Sequence, residues 1–92
     1  MTGFRWNDWN LDHATQHGVT VEEAETVVLN ARRPYPRDLG NGRYMVWGRG
    51  SGGRFLQVIF LRDLDQTVYI IHARPLTECE KLQYRRTRRH EP

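Results

Sequence analysis

A strand that leads into a capped helix is encoded by the stretch IIHARPLTECEKLQYRR, residues 70–86. Its first half is largely apolar and ends at Arg74 and Pro75, and proline stops a strand because it has no N–H to donate. Thr77 and Glu80 then have the spacing of a capping box, in which each side chain bonds the backbone N–H of the other residue. The sequence therefore predicts a strand that ends at Arg74, a turn, and a helix that continues to about Arg86.

The region before this stretch has the pattern of an antiparallel meander. Asn41-Gly42 is a type I′ hairpin signal, because both central positions of that turn need positive φ. Pro34 and Pro36 forbid helix and leave an extended, edge-like segment at residues 33–38. Strands are predicted at residues 43–48, 54–62 and 67–74, with turns at the Gly-rich residues 50–53 and at residues 63–66.

Two helices are predicted nearer the N-terminus. Asn7 is expected to cap a helix over residues 8–17, which Gly18 ends in the left-handed conformation. Thr20 and Glu23 have the spacing of another capping box. The helix that follows carries an apolar stripe, with its acidic residues expected to face mostly water: the stripe is Val21, Ala24, Val27 and Val28, and the acids are Glu22, Glu23 and Glu25.

The predicted fold class is α+β with two layers. The expected order is a short N-terminal strand at residues 4–6, two helices, a three- to four-stranded antiparallel meander and a C-terminal helix. Ninety-two residues are too few to bury two independent cores, so residues 1–92 are predicted to form a single domain. Residues 87–92 are expected to be a flexible basic tail.

Composition favours a soluble, cytoplasmic protein without a membrane segment. The apolar runs are too short to span a bilayer, and no signal-like segment opens the chain. The single cysteine, Cys79, excludes an internal disulfide framework and is expected to be half-buried on the last helix.

The cations are mostly arginine and crowd the C-terminal end. Arg supplies 13 of the 14 cations, and five of the cations lie within a few residues of each other: Lys81, Arg85, Arg86, Arg88 and Arg89. Because Arg makes bidentate bonds to phosphate, this distribution indicates a nucleic-acid partner. A solvated basic face is the alternative interpretation.

Six short motifs, taken in order, carry a resemblance to a known family. They are FRW (4–6), HGV (17–19), VEEA (21–24), the GR pairs at 48–49 and 53–54, IHAR (71–74), and TECEK (77–81) followed by Tyr84. Their order and spacing resemble those of the BrnT toxins, the ribonuclease half of BrnT–BrnA toxin–antitoxin pairs within the RelE-like group. The chain departs from the family pattern at Gln16, His72 and Lys81, where the family usually has Lys, Ser or Thr, and Arg.

The resemblance implies a small ribonuclease that cleaves RNA without a metal or any other cofactor. It also implies a tightly bound partner, a ribbon-helix-helix antitoxin that silences the enzyme. The expected assembly is a homodimer or a toxin–antitoxin heterotetramer. A non-catalytic module that binds nucleic acid or a protein partner on the same fold is the alternative function.

Metal-free cleavage of RNA requires a deprotonated 2′-OH, a neutralised phosphorane charge and a protonated leaving group. The predicted catalytic residues are Arg74, His17, His72 and Tyr84. Arg74 would stabilise the phosphate charge, and a structural ion pair with Glu80 is the alternative. His17 or His72 would move the proton, although capping of the helix end is the competing role for His17. Tyr84 would orient the RNA, or else form an edge of the core.

Five further cations are expected to contact the RNA: Arg43, Arg54, Lys81, Arg85 and Arg86. His13 and His17 have the i, i+4 spacing of zinc ligands, but no third ligand is evident, so no metal site is predicted. If Arg74 contacts phosphate, Arg74→Ala is expected to abolish cleavage with little change in melting temperature. If it forms the structural pair, the same change should also reduce stability.

Overall fold

A computed structural model describes residues 3–89 of the chain, and the side chains of residues 3–87. The elements are α1 (Asp8–Thr15), α2 (Val21–Leu29), β1 (Arg37–Gly40), β2 (Arg43–Arg49), β3 (Phe55–Arg62), β4 (Val68–Pro75) and α3 (Glu78–Arg89). The four strands form one antiparallel sheet in the order β1-β2-β3-β4. The predicted α+β class with an antiparallel meander is therefore confirmed.

The local signals in the sequence produce the turns and caps that they predict. Asn41 and Gly42 have φ values of 57° and 76° in the β1–β2 hairpin. Asn7 and Thr20 cap α1 and α2, each with a reciprocal capping box. Thr77 and Glu80 exchange the same two hydrogen bonds at the start of α3, with lengths of 3.1 and 2.8 Å.

Four predictions of element bounds and exposure need correction, and a fifth, for Glu23, is described below. The N-terminal strand is reduced to one parallel bridge, between Phe4 and Val68 on β4. Helix α1 ends at Thr15, two residues earlier than expected. Helix α3 continues to Arg89, so the first three residues of the predicted basic tail are helical and residues 90–92 lie outside the described part. Cys79 is exposed rather than half-buried, because it lies in the first turn of α3 on its outer side.

The core lies on the face of the sheet that α1 and α2 cover. Val46, Val58 and Ala73 are aligned across β2, β3 and β4, and all three are fully buried. Ala24 and Val27 of α2 pack into the same cluster, as the apolar stripe of that helix predicts. Within residues 3–89, no helix is long and apolar enough to cross a bilayer.

Glu23 is buried, against the expectation that it faces water. It lies four residues before Val27 and therefore on the inner side of α2, where it is only 7% exposed. Its carboxylate accepts hydrogen bonds from Nε and Nη2 of Arg54, at 3.0 and 2.8 Å, and from the backbone N–H of Thr20 at 3.0 Å. A buried charge with this many donors is compensated, which is the condition for keeping a carboxylate inside.

The β2–β3 turn approaches α2 closely at Gly50. A Cβ atom at this position would lie 2.9 Å from Cδ1 of Leu56 and 3.3 Å from Cβ of Glu23. Glycine is the residue that leaves room for this contact, and it lets the turn carry Arg54 to the Glu23 carboxylate. The Gly-rich segment between β2 and β3 is thus a hairpin turn with a packing requirement.

We expect Glu23→Ala to lower the melting temperature by roughly 5–15 °C, because it removes the acceptor for Arg54 and Thr20 together. Glu22→Ala is the matched control, since Glu22 is an exposed acid in the same helical turn. It should shift the melting temperature by less than about 3 °C. Equal effects of the two changes in thermal unfolding followed by circular dichroism would contradict this role for Glu23.

Candidate functional site

The predicted site residues on β4 lie on the face of the sheet opposite the core. The register of the strands places Trp47, Gln57 and Arg74 side by side across β2, β3 and β4. His72 precedes Arg74 by two residues and therefore points to the same face. Gln57 is buried at the centre of this row, and its Oε1 accepts from Nε1 of Trp47 at 2.9 Å and from Nη2 of Arg74 at 3.2 Å.

Arg74 is held by a bidentate ion pair with Glu80 on α3. Nη1 and Nη2 of Arg74 each lie 2.7 Å from a different carboxylate oxygen of Glu80. Nη1 also donates to the carbonyl of Pro75 at 3.0 Å. Four of the five N–H donors of the guanidinium are thus engaged within the chain. The structural pair proposed as the alternative role of Arg74 is present, so Arg74→Ala is expected to reduce stability.

The pair shifts the titration of both partners. The hydrogen bonds from Arg74 lower the pKa of Glu80 to about 2, despite the opposing effect of burial. The hydrogen bond to Glu80 raises the pKa of Arg74 above its ordinary value. Arg74 and Glu80 therefore remain fully charged at neutral pH, and together they join the end of β4 to the start of α3.

His17 and His72 come together although they are far apart in sequence. Their ring centroids are 5.6 Å apart, and the rings meet edge to face. His17 lies just after the C-cap residue of α1, Gln16, and is exposed, whereas His72 is half-buried on β4. Since His72 is also two residues from Arg74, the structure groups three of the four predicted catalytic residues.

The environment of His72 favours its neutral form. Burial lowers the pKa of His72, and electrostatic interactions with the nearby His17 and Arg74 lower it further. A neutral imidazole carries a free nitrogen lone pair and can accept a proton at neutral pH. His72 is therefore available as a general base at neutral pH.

The loop that carries His17 is fixed by Arg54. Gly18 follows His17 with φ of 80°, and its carbonyl accepts from Nη2 of Arg54 at 3.0 Å. Its N–H donates to the carbonyl of Thr15 at 3.1 Å. Arg54, which was predicted to contact RNA, joins the α1–α2 loop to Glu23. Its side chain therefore positions the neighbour of His17, and its contact with RNA stays a prediction.

Tyr84 belongs to an aromatic cluster and not to the histidine pair. Its ring centroid lies 5.7 Å from that of Phe55 and 6.1 Å from that of Tyr35. Tyr35 is buried and lies 6.2 Å from Trp47. Glu80, one helical turn earlier, reaches Arg74, so α3 contacts the sheet through both residues.

The predicted RNA-binding cations divide into two groups. Arg54 is paired with Glu23, and Lys81 donates to Glu78 at 3.1 Å. Arg43, Arg85 and Arg86 have exposed side chains. The first group has structural partners, so only the second presents its charge outward without a described acidic neighbour.

His13 and His17, which have the sequence spacing of zinc ligands, contact different neighbours. The ring of His13 stacks on Trp9 with 3.8 Å between centroids, and its Nδ1 lies 2.7 Å from the carbonyl oxygen of Trp9. His17 faces His72 instead. Among the described residues, no group of three or more His, Cys, Asp or Glu side chains is placed to hold a metal ion.

Comparisons with protein-family models, with curated proteins and with solved structures find no match for this chain. The chemistry of the site is therefore inferred from the side chains that meet there. Two imidazoles and a guanidinium on one surface can accept a proton, donate a proton and neutralise an anion.

The stability of the protein should depend on Glu80 between pH 4.5 and pH 2. Because its pKa falls from 4.5 to about 2 on folding, the stabilisation is complete above the unfolded value and is lost as pH falls through the folded one. We expect Glu80→Gln to reduce the free energy of unfolding at pH 7 by about 1–2 kcal/mol, since both partners keep some contact with water. Urea unfolding at several pH values should show this difference shrinking towards pH 2. A difference that is constant with pH would contradict the assignment.

Proposed function

We propose that this chain is a BrnT-like toxin, a metal-independent endoribonuclease that cleaves RNA phosphodiester bonds and is neutralised by a cognate antitoxin. The observation that supports it best is the meeting of His17 and His72 beside Arg74 on one face of the sheet. These are three of the four residues that were predicted from the sequence to be catalytic, although His72 stands where the BrnT toxins usually have Ser or Thr. The proposal includes a cytoplasmic location and a ribbon-helix-helix partner, in a homodimer or a toxin–antitoxin heterotetramer.

The two histidines would divide the proton transfers. His72, held neutral by its surroundings, would take the proton of the RNA 2′-OH. The 2′-oxygen would attack phosphorus, and the bond to the 5′-oxygen would break. His17, in its protonated form, would give a proton to the leaving 5′-oxygen. The products would be a 2′,3′-cyclic phosphate and a free 5′-OH. No metal would take part in this reaction.

Arg74 would neutralise the charge that develops on the phosphorane. Its guanidinium already donates four hydrogen bonds to Glu80, Gln57 and Pro75. Direct contact with phosphate therefore requires a rearrangement in which the phosphate replaces part of the Glu80 pair. Without that exchange, Arg74 would act on the phosphate only through its electrostatic field. Arg43, Arg85 and Arg86 are the exposed cations that would contact the rest of the RNA.

The engagement of Arg74 by Glu80 favours a second candidate function. A guanidinium that is neutralised by a carboxylate at 2.7 Å is a weaker anion site than one that faces solvent. A module that binds nucleic acid or a protein partner without cleaving RNA would need no exchange at Arg74. Its binding of RNA would instead depend on the exposed arginines and would weaken steeply with salt.

We expect the purified protein to cleave a defined single-stranded RNA in the presence of EDTA. His72→Gln and His17→Gln should each slow cleavage by roughly 10²–10⁴-fold, because each removes one proton-transfer group. His13→Gln is the matched control, since it alters an exposed histidine of α1 that stacks on Trp9. It should cleave at nearly the rate of the unmodified protein.

Gel analysis of the products, with a melting curve for each variant, measures both activity and folding. Cleavage that survives in both histidine variants would exclude the proposed roles of His17 and His72. Retained RNA binding with no cleavage by the unmodified protein would favour the binding module.

A further inference from the structure

A groove of about 840 Å³ lies between the end of α2, the β2–β3 turn and α3. The groove is separate from the histidine pair. In the strand register, Arg49 on the rim of the groove lies opposite Phe55, whereas His72 lies opposite Ile59, four residues further along β3. Strand geometry therefore puts Arg49 and His72 roughly 15 Å apart. Hydroxyl, amide and guanidinium groups line much of the groove, from Thr26, Asn30, Arg32, Arg49 and Ser51.

The charge of the groove is positive. Arg32 and Arg49 are both exposed, and none of the described residues that line it is acidic. The guanidinium carbon of Arg49 lies 4.8 Å from the centre of the Phe55 ring, which fixes its direction at the rim. The carbonyl end of α2 adds about half a negative charge, which the two guanidinium groups exceed. An anion is therefore the expected occupant.

The wall formed by α3 is aromatic. Tyr84 borders the groove, and its ring is braced by Tyr35 and Phe55 at 6.1 and 5.7 Å. A ring that its neighbours hold in place is a suitable platform for a nucleobase. Neither Arg32, which follows α2, nor Arg49, the last residue of β2, was predicted to be a site residue, because the groove forms only where α2, the turn and α3 meet.

We infer that this groove binds one nucleotide of single-stranded RNA, with its phosphate between Arg32 and Arg49 and its base against Tyr84. The combination of two cations, neutral hydroxyl and amide groups and an aromatic wall fits a phosphate, a ribose and a base together. An acidic peptide of Asp and Glu has no planar ring to stack against Tyr84. The inference rests on the proposed function, because the groove would hold substrate at a distance from the scissile bond.

The test is the affinity for a short RNA in which every 2′-OH is methylated, so that it binds but lacks the attacking hydroxyl. Fluorescence anisotropy should show a roughly tenfold higher Kd for the Arg32→Ala/Arg49→Ala variant than for the unmodified protein. The slope of log Kd against log salt should become shallower by about 0.7, which is the contribution of one neutralised phosphate on a single strand.

Arg62→Ala is the matched control, because it removes an exposed arginine at the opposite end of β3 from the groove. Its affinity and salt slope should stay close to those of the unmodified protein. Melting temperatures should show that all variants are folded, as each substitution is on the surface. An unchanged Kd in the double variant would overturn the inference, and so would an equal loss with Arg62→Ala.

Two further readouts separate this inference from the proposed function. If the protein cleaves RNA, the double variant should raise KM and leave kcat nearly unchanged, whereas an unchanged KM would overturn the inference. If it does not cleave RNA, loss of binding in the double variant would support the groove although the proposed function fails. Competition by oligoglutamate as strong as that by RNA of equal charge would identify an acidic protein partner and overturn the nucleotide assignment.

Discussion

The hydrogen bonds between Glu23 and Arg54 join three segments that are distant in sequence. Arg54 enters from the β2–β3 turn, Glu23 lies in the first turn of α2, and the same guanidinium donates to Gly18 in the α1–α2 loop. These bonds lower the pKa of Glu23 against the effect of burial, so the carboxylate stays charged inside the fold. The same junction holds Gly18, the residue next to His17, through its carbonyl. It therefore helps to keep His17 beside His72.

The candidate site combines a partly buried histidine with an arginine whose charge is already balanced. His72 loses solvation and lies near His17 and Arg74, which favours its neutral form. Arg74 keeps its charge, but Glu80 neutralises it locally. An approaching phosphate would compete with Glu80 for the guanidinium, and this competition would decide whether Arg74 acts by direct contact. The catalytic and the non-catalytic proposals differ mainly in the outcome of that exchange.

Local sequence signals predicted most of the fold because each acts over a few residues. Asn41-Gly42 makes its turn through backbone conformation alone, and Thr20 with Glu23 caps α2 through neighbouring groups. The Arg74–Glu80 pair could be foreseen as an alternative, since the capping box at Thr77 brings Glu80 back towards the end of β4. Arg54, the partner of Glu23, lies 31 residues away in the sequence, and no local pattern predicts that the two residues meet. The meeting of His17 with His72 likewise depends on how α1 packs beside the sheet.

The most direct measurement is an NMR spectrum of the histidine side chains during addition of the 2′-methylated RNA. Single histidine variants would assign the signals of His13, His17 and His72. The proposed site predicts that the signals of His17 and His72 shift together with saturation of RNA, that His13 stays unchanged, and that free His72 is neutral at pH 7. RNA that binds without moving either His17 or His72 would contradict a phosphodiester site at this pair.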